Sequence, residues 1–246
     1  MDIKNTLLEI NHELQSTSST SKLDSELLLM TALGVSRPYL YTHGEKILSV
    51  SEKKVLNDLC KRRINLEPMA YITGIKEFWS REFNVSPATL IPRPESEMLV
   101  EEVLNLYALD ETISILEMGT GSGAIAISLA LERPKTIITA TDISSKVLDL
   151  AKKNANKFNA HNIIFQKSDW FRELKNQEFD LIVCNPPYIE SHDDCLLDLK
   201  FEPISALVSG KDGLDAIRHI ANNAKQFLKI NGTILIEHGK DQEKAV

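Results

Sequence analysis

Four consecutive residues, Asn185-Pro186-Pro187-Tyr188, follow an apolar run, Phe179-Asp180-Leu181-Ile182-Val183-Cys184, that reads as a buried strand. Two prolines in a row remove two backbone donors, fix φ and drive the residue before each of them into an extended shape. What remains is a rigid cup of acceptors: the Asn185 side-chain oxygen and the carbonyls of Asn185 and Pro186, with the aromatic face of Tyr188 beside them. Such a cup suits a planar –NH2 group held through its hydrogens. A tight turn closing a strand would account for the same residues with no ligand at all.

A second constellation lies upstream. Glu117-Met118-Gly119-Thr120-Gly121-Ser122-Gly123-Ala124 follows a candidate strand and opens a candidate helix, and Asp142 ends the next strand, nineteen positions after Gly123. The glycines let the backbone turn tightly and approach a ligand, and an acid at that distance can accept both hydroxyls of a ribose. Gly119-x-Gly121-x-x-Ala124 also satisfies a permissive dinucleotide pattern, but no Lys-Ser/Thr pair follows, which excludes a phosphate-binding P-loop. The third glycine, Gly123, and the Asn-Pro-Pro-Tyr cup favour S-adenosylmethionine over NAD. Asp169-Trp170 ends the third candidate strand, where a carboxylate and an indole could bind and cover an adenine; Trp170 as a plain packing residue is the alternative.

Together these groups describe a methyl transfer to nitrogen. An amide or aromatic amine nitrogen is a poor nucleophile because its lone pair is delocalised. Two acceptors that grip the –NH2 hydrogens favour localisation of that pair and aim it at the methyl group. The proton then leaves easily from the methylated, strongly acidic nitrogen, so no His or Lys base is required. Asn185 and the Pro186 carbonyl are assigned as the acceptors and Tyr188 as the wall against the planar substrate.

The elements that must position these groups fall into three stretches. Residues 1–70 read as an all-helical domain: Leu7, Leu8, Ile10 and Leu14 recur at helical spacing, Lys22 to Leu33 resumes the pattern up to Gly34, and Arg37–Thr42 and Val50–Asn65 suggest two more helices. No catalytic constellation is evident there, which suits a substrate-docking module. Residues 71–90 form a hairpin linker around Phe78–Val85. Residues 91–246 open with a helix from Pro94 to about Leu109, its first turn enriched in Glu95 and Glu97. Candidate strands at Ile113–Met118, Thr136–Thr141, Ile163–Lys167, Phe179–Cys184 and Thr233–Glu237 then alternate with candidate helices at Ala124–Glu132, Ser144–Phe158 and Leu214–Leu228. The pattern predicts an α/β fold: a doubly wound, mostly parallel Rossmann-like sheet with ligands at its switch point, behind a small N-terminal all-α bundle.

Bulk properties narrow the class. A chain of 246 residues fits one large domain or one with a small companion, and a net charge of −7 argues against a broad nucleic-acid-binding surface. The three cysteines lack CxxC spacing, which suits a reducing, cytoplasmic setting, and no apolar run reaches the ~20 residues needed to span a membrane. His192-Asp193-Asp194-Cys195 resembles a metal cluster only superficially, since adjacent loop residues rarely converge on one ion. Lys61-Arg62-Arg63 reads as a solvated helix face or a docking patch. Cys184 reads as a small core residue, and His238 carries no assigned role.

The chain resembles the peptide-chain release factor glutamine N5-methyltransferases. The matching segments are Glu67-Pro-Met-Ala-Tyr-Ile-Thr-Gly74, Leu90-Ile-Pro-Arg-Pro-Glu95, Glu117-Met-Gly-Thr-Gly-Ser-Gly-Ala-Ile-Ala126, Asn185-Pro-Pro-Tyr188, Glu202-Pro203 with Ala206-Leu207, and Asp212-Gly-Leu214. Pro-Arg-Pro-Glu is the discriminating segment, because the glycine loop and Asn-Pro-Pro-Tyr also occur in nucleic-acid amino-methyltransferases. The resemblance implies methylation of the glutamine amide in the Gly-Gly-Gln tip of class I release factors. It implies S-adenosylmethionine contacts from Gly119 to Gly123, Asp142, Trp170 and Asn185, and glutamine contacts from Asn185 to Tyr188, Pro187 included. Expected partners are therefore release factors, with no direct nucleic-acid or membrane contact, and the expected state is a monomer.

Ser96 and His238 stand where the family usually has threonine and an apolar residue. The family pattern continues through a helix and two more strands beyond Glu237-His238-Gly239, whereas this chain ends at Val246, so the last candidate strand is expected to be an exposed edge. The runner-up enzyme is an adenine- or guanine-amino methyltransferase acting on DNA or RNA, disfavoured by the acidic balance because such a substrate demands a basic groove. A catalytically silent binding module and a dinucleotide-binding protein complete the alternatives.

Overall fold

The N-terminal periodicity becomes helices α1 (Ile3–Leu14), α2 (Ser21–Leu33), α3 (Arg37–Thr42) and α4 (Val50–Ile64), followed by a short α5 (Met69–Thr73) that sequence periodicity did not reveal. Five residues make little more than one turn, too few for a 3.6-residue repeat to register. Ile3, Ile10, Leu14, Leu28, Leu29, Leu40, Leu56 and Ile72 form the core of this unit. Its helix ends obey local chemistry. The Asp2 carboxylate accepts from Asn5 N at 2.8 Å, and Ser49 and Glu52 form a reciprocal capping box on α4. The basic run on α4 is largely committed within the unit: Arg62 pairs with Glu67 at 2.6 Å and Arg63 with the buried Asp24 at 2.7 Å. The computed structural model describes residues 1–246, and the chain divides into two units, Met1–Ile75 and Lys76–Val246.

The second unit begins within a hairpin, β1 (Ile75–Phe78) and β2 (Arg81–Asn84). The two strands turn through Trp79 and Ser80, both at positive φ (50° and 55°), as a tight hairpin turn requires. Trp79 is held there by its amide and indole N–H groups, which donate to Glu97 and Glu132 at 2.8 and 3.2 Å. The helix expected from Pro94 to about Leu109 is instead a 3-10 turn over Pro94–Ser96 leading into α6 (Glu97–Leu106).

Strands and helices then alternate as β3 (Ser114–Met118), α7 (Ala124–Glu132), β4 (Ile137–Asp142), α8 (Ser145–Phe158), β5 (Ile163–Lys167), β6 (Phe179–Cys184), α9 (Asp215–Ala224) and β7 (Leu228–Ile236). The sheet order is β5-β4-β3-β6-β7, all pairs parallel. Strand order therefore reverses between β3 and β6, the place where doubly wound sheets bind ligands. The central strands are buried on both faces, as their unbroken apolar runs dictate: Ile115, Leu116, Leu181, Ile182 and Val183 are fully buried. β7 starts at Leu228, earlier than the expected Thr233, because a bulge around Asn231-Gly232 lets Leu228 pair with Phe179 while Thr233 pairs with Leu181. It is an edge strand, and Ile230 is 95% exposed. No helix is long and apolar enough to cross a membrane.

Candidate active site

Met118 and Cys184 face each other at the carboxyl ends of β3 and β6, so the loops after both strands emerge side by side. The glycine loop presents only part of itself. Gly119 and Gly121 line a cavity of about 370 Å³, and an added Cβ would meet nothing within 4 Å at Gly119 and only the Gly119 carbonyl, at 3.9 Å, at Gly121. The space against their backbone is open. Thr120, Ser122 and Gly123 instead turn inward. The Thr120 hydroxyl donates to Glu117 Oε2 at 2.5 Å, and the Ser122 carbonyl accepts from Asn154 Nδ2 at 2.8 Å. A Cβ at Gly123 would fall 2.8 Å from Ile127 Cδ1 and 3.2 Å from Ala151 Cβ, so this glycine lets α7 pack on α8. Of the five residues Gly119–Gly123, two face the cavity and three brace the loop.

Asp142 stands at the end of β4 beside that loop. Its Oδ1 accepts from Ser144 N at 2.9 Å and its Oδ2 from Gly121 N at 3.3 Å. Burial pushes its carboxyl up from the usual range, with those amide bonds opposing. Asp169, exposed, and Trp170, half-buried, follow β5 and line the same cavity. Glu117, on β3 beneath the loop, is 1% exposed, and burial pushes its carboxyl up to about 8.

Asn185, Pro186 and Pro187 line the cavity opposite Asp142. The carbonyls of Asn185 and Pro186 accept no hydrogen bond from the chain, nor does Asn185 Oδ1, so three acceptors remain for an outside donor. Tyr188, expected as the wall against the substrate, does not line the cavity; it is half-buried, with its hydroxyl 3.3 Å from Glu237 Oε1. Burial and the Glu237 charge push the Tyr188 phenol up to about 12, so it remains a donor at neutral pH. A Cβ at Gly213 would fall 2.2 Å from the Tyr188 carbonyl, so only glycine lets this backbone pass.

Several residues of the site had no assigned role in the sequence reading. Ala88, Thr89, Leu90, Pro203, Ser205 and Ala206 also line the cavity. The two segments that contribute them are fastened by Glu202, 6% exposed, which accepts from Arg93 Nη2 at 2.5 Å and from Ile91 N at 3.0 Å. Those two bonds tie the Pro-Arg-Pro-Glu segment to Glu202-Pro203 across the fold. Ser96 and Glu237 are also new: Asn185 Nδ2 donates to Ser96 Oγ at 2.8 Å, and Ser96 Oγ donates to Glu237 Oε2 at 2.6 Å. The remaining candidates lie apart from the cavity. His192, Asp193, Asp194 and Cys195 are exposed, with Asp193 capping the Cys195 amide. Cys184 is fully buried, its thiol pushed up by burial and donating to the Met118 carbonyl at 3.1 Å.

Comparison with known proteins places this chain in a family. Residues 5–74 match the family model described as PrmC N-terminal domain, and residues 94–199 match Methyltransferase small domain. The release factor glutamine methyltransferases of Coxiella burnetii and Salmonella typhimurium are each 44% identical to this chain, covering 100% of it and 89% of their own length. That of Vibrio cholerae is 46% identical over 94% of this chain and 82% of its own. Among solved structures, the hMettl16 catalytic domain in complex with MAT2A 3'UTR hairpin 6 aligns with a TM-score of 0.55 at 19% identity, over 72% of this chain and 68% of that one. A methyltransferase from Pyrococcus furiosus aligns with a TM-score of 0.50 at 19% identity, over 76% and 81%. These two show a shared fold; the full-span sequence similarity shows more, and by it the chain belongs to the release factor glutamine methyltransferase family.

Proposed function

We propose that this chain transfers the methyl group of S-adenosylmethionine to the side-chain amide nitrogen of the glutamine in the Gly-Gly-Gln tip of class I release factors. The observation that carries this reading is the trio of unpartnered acceptors, Asn185 Oδ1 and the carbonyls of Asn185 and Pro186, in one cavity with the open face of the glycine loop. S-adenosylmethionine, when bound, supplies an electrophilic methyl group on a sulfonium centre. The residues present fit it. The open space against Gly119 and Gly121 admits a ligand to the backbone, the Asp142 carboxylate faces the same space, and Asp169 and Trp170 form a further wall. A cavity of about 370 Å³ lies in the range of small-molecule sites.

In this reading Asn185 Oδ1 and the Pro186 carbonyl accept the two hydrogens of the glutamine –NH2 group. Those bonds favour a pyramidal nitrogen and orient its lone pair toward the methyl group, which is positioning and electrostatic catalysis without a general base. Pro187 stiffens the cup and Tyr188 backs it. Thr120, Ser122 and Gly123 hold the loop in shape from behind. The helical unit of residues 1–75 is the docking module for the release factor. The protein acts in the cytoplasm, as a monomer, without nucleic acid as a substrate; a net charge of −7 supports that last point.

The test is labelled methyl transfer from S-adenosylmethionine to release factor, to its Gln→Ala variant and to nucleic acid. Label is expected on the first alone. Asn185→Ala is expected to abolish transfer while cofactor affinity falls far less. Near-normal turnover in that variant, or label on nucleic acid in place of release factor, would overturn the reading.

A further inference from the structure

The chain Asn185–Ser96–Glu237 has a direction, and the direction matters to the acceptor cup. An asparagine amide can be placed with either end toward a given neighbour, and only the hydrogen-bond network decides which. The Ser96 hydroxyl has a single proton. Glu237 Oε2, 2.6 Å away, accepts that proton, so toward Asn185 the hydroxyl offers only lone pairs. The amide end facing Ser96 at 2.8 Å must then be the –NH2 end. Oδ1 is left on the other side, with no donor in the chain. Ser96 is 3% exposed, which keeps water from substituting for it. Glu237 is fixed in turn: its amide donates to the Cys184 carbonyl at 3.0 Å, tying the end of β7 to the end of β6, and its second carboxylate oxygen accepts from the Tyr188 hydroxyl at 3.3 Å.

We propose that Ser96 and Glu237 are positioning residues that set the polarity of the Asn185 amide, so that the cup presents an acceptor rather than a donor to the incoming –NH2 group. The inference rests on the methyl-transfer reading for its consequence, though not for its geometry. Without the relay the amide can rotate by half a turn and offer its own –NH2 to the substrate's –NH2, donor against donor. One carboxylate thus governs both the amide end of Asn185 and the hydroxyl end of Tyr188.

The experiment compares wild type with Ser96→Ala, Ser96→Thr, Glu237→Gln and the double variant Ser96→Ala/Glu237→Gln. Each is assayed for kcat and KM with release factor, for S-adenosylmethionine Kd, and for the side-chain amide NMR signals of Asn185, assigned by their loss in Asn185→Ala. Ser96→Ala is expected to lower kcat by about ten- to a hundredfold, the scale of one misdirected buried hydrogen bond, with cofactor Kd little changed. Ser96→Thr keeps a γ-hydroxyl and is expected to restore kcat. Glu237→Gln is nearly isosteric, yet its amide can donate to Ser96 and reverse the relay, so a similar fall is expected. The double variant should fall no further than either single one, because both break one chain. In the NMR arm, a slowly exchanging Asn185 amide proton should be present in wild type and Ser96→Thr and lost in Ser96→Ala. Wild-type kcat in Ser96→Ala, or a Ser96→Thr as slow as Ser96→Ala, overturns the inference. A wild type that methylates no release factor but keeps the slow amide proton overturns the methyl-transfer reading and leaves the amide polarity standing; an amide signal unchanged in Ser96→Ala overturns the polarity itself.

Discussion

Glu117→Gln should flatten part of the protein's stability profile against pH. Glu117 lies on β3 with 1% of its surface exposed, and burial pushes its carboxyl from 4.5 up to about 8; bonds from the Thr120 hydroxyl and the Ala126 amide oppose the shift, and the charge of Asp142 adds to it. In the unfolded chain the group ionises near its ordinary value. Between the two values the folded protein holds one proton more than the unfolded chain, so stability falls as pH rises. The stabilising contribution is fully present below the unfolded value and is lost as pH climbs through the folded one. Over the whole window the loss is about 5 kcal/mol, and between about pH 6 and about pH 8 it is about 2 kcal/mol. Glutamine has the shape of the protonated acid, can still accept from Thr120, and does not titrate. Urea denaturation of both proteins at the two pH values isolates the effect, because Asp142 and Glu237, also pushed up by burial, are common to both. The stability of wild type relative to the variant should drop by about 2 kcal/mol from the lower pH to the higher. A gap constant to within about 0.5 kcal/mol would refute the buried-acid argument.

Two further substitutions probe the frame around the site. Gly123→Ala places a Cβ 2.8 Å from Ile127 Cδ1 and 3.2 Å from Ala151 Cβ at a φ of +83°, combining left-handed strain with overpacking; a loss of about 2–4 kcal/mol in urea denaturation is expected. Glu202→Ala strips Arg93 and the Ile91 amide of their shared acceptor; breaking a buried pair from one side should lower stability by about 3 kcal/mol and raise KM, and an unchanged melting temperature would count against the fastening role.

Much of this fold is local in origin, and that part was readable from the chain. The strands at Ile163–Lys167 and Phe179–Cys184 and the helices at Ala124–Glu132 and Arg37–Thr42 have the limits their periodicity indicated. Glycines and prolines punctuate them. The glycine loop and Asn-Pro-Pro-Tyr are each contiguous, so their chemistry is carried by neighbours in sequence, and the alternation of elements indicates the parallel sheet that carries them; the order that sets β3 beside β6 is seen only in the structure. Elements whose limits depend on distant partners were less legible. β7 extends back to Leu228 through a bulge that only its pairing with β6 stabilises, α9 stops at Ala224 in a 3-10 turn, and α5 is too short to announce itself.

The site divides along the same line. Sequence alone singled out the groups that could do chemistry: acceptors at Asn185 and Pro186, the whole glycine loop from Gly119 to Gly123, a carboxylate at Asp142. Tertiary structure decided which way those groups face. Ser96 is 89 residues from Asn185 and 141 from Glu237, and Arg93 is 109 from Glu202. No periodicity or spacing rule links such positions, because a hydrogen bond's direction depends on where the last free proton can go, and that is fixed only when β6, β7 and the turn before α6 converge. The same folding turned Thr120, Ser122 and Gly123 away from the cavity that their motif had assigned to them, since a loop that approaches a ligand with two of its residues must be braced by the others.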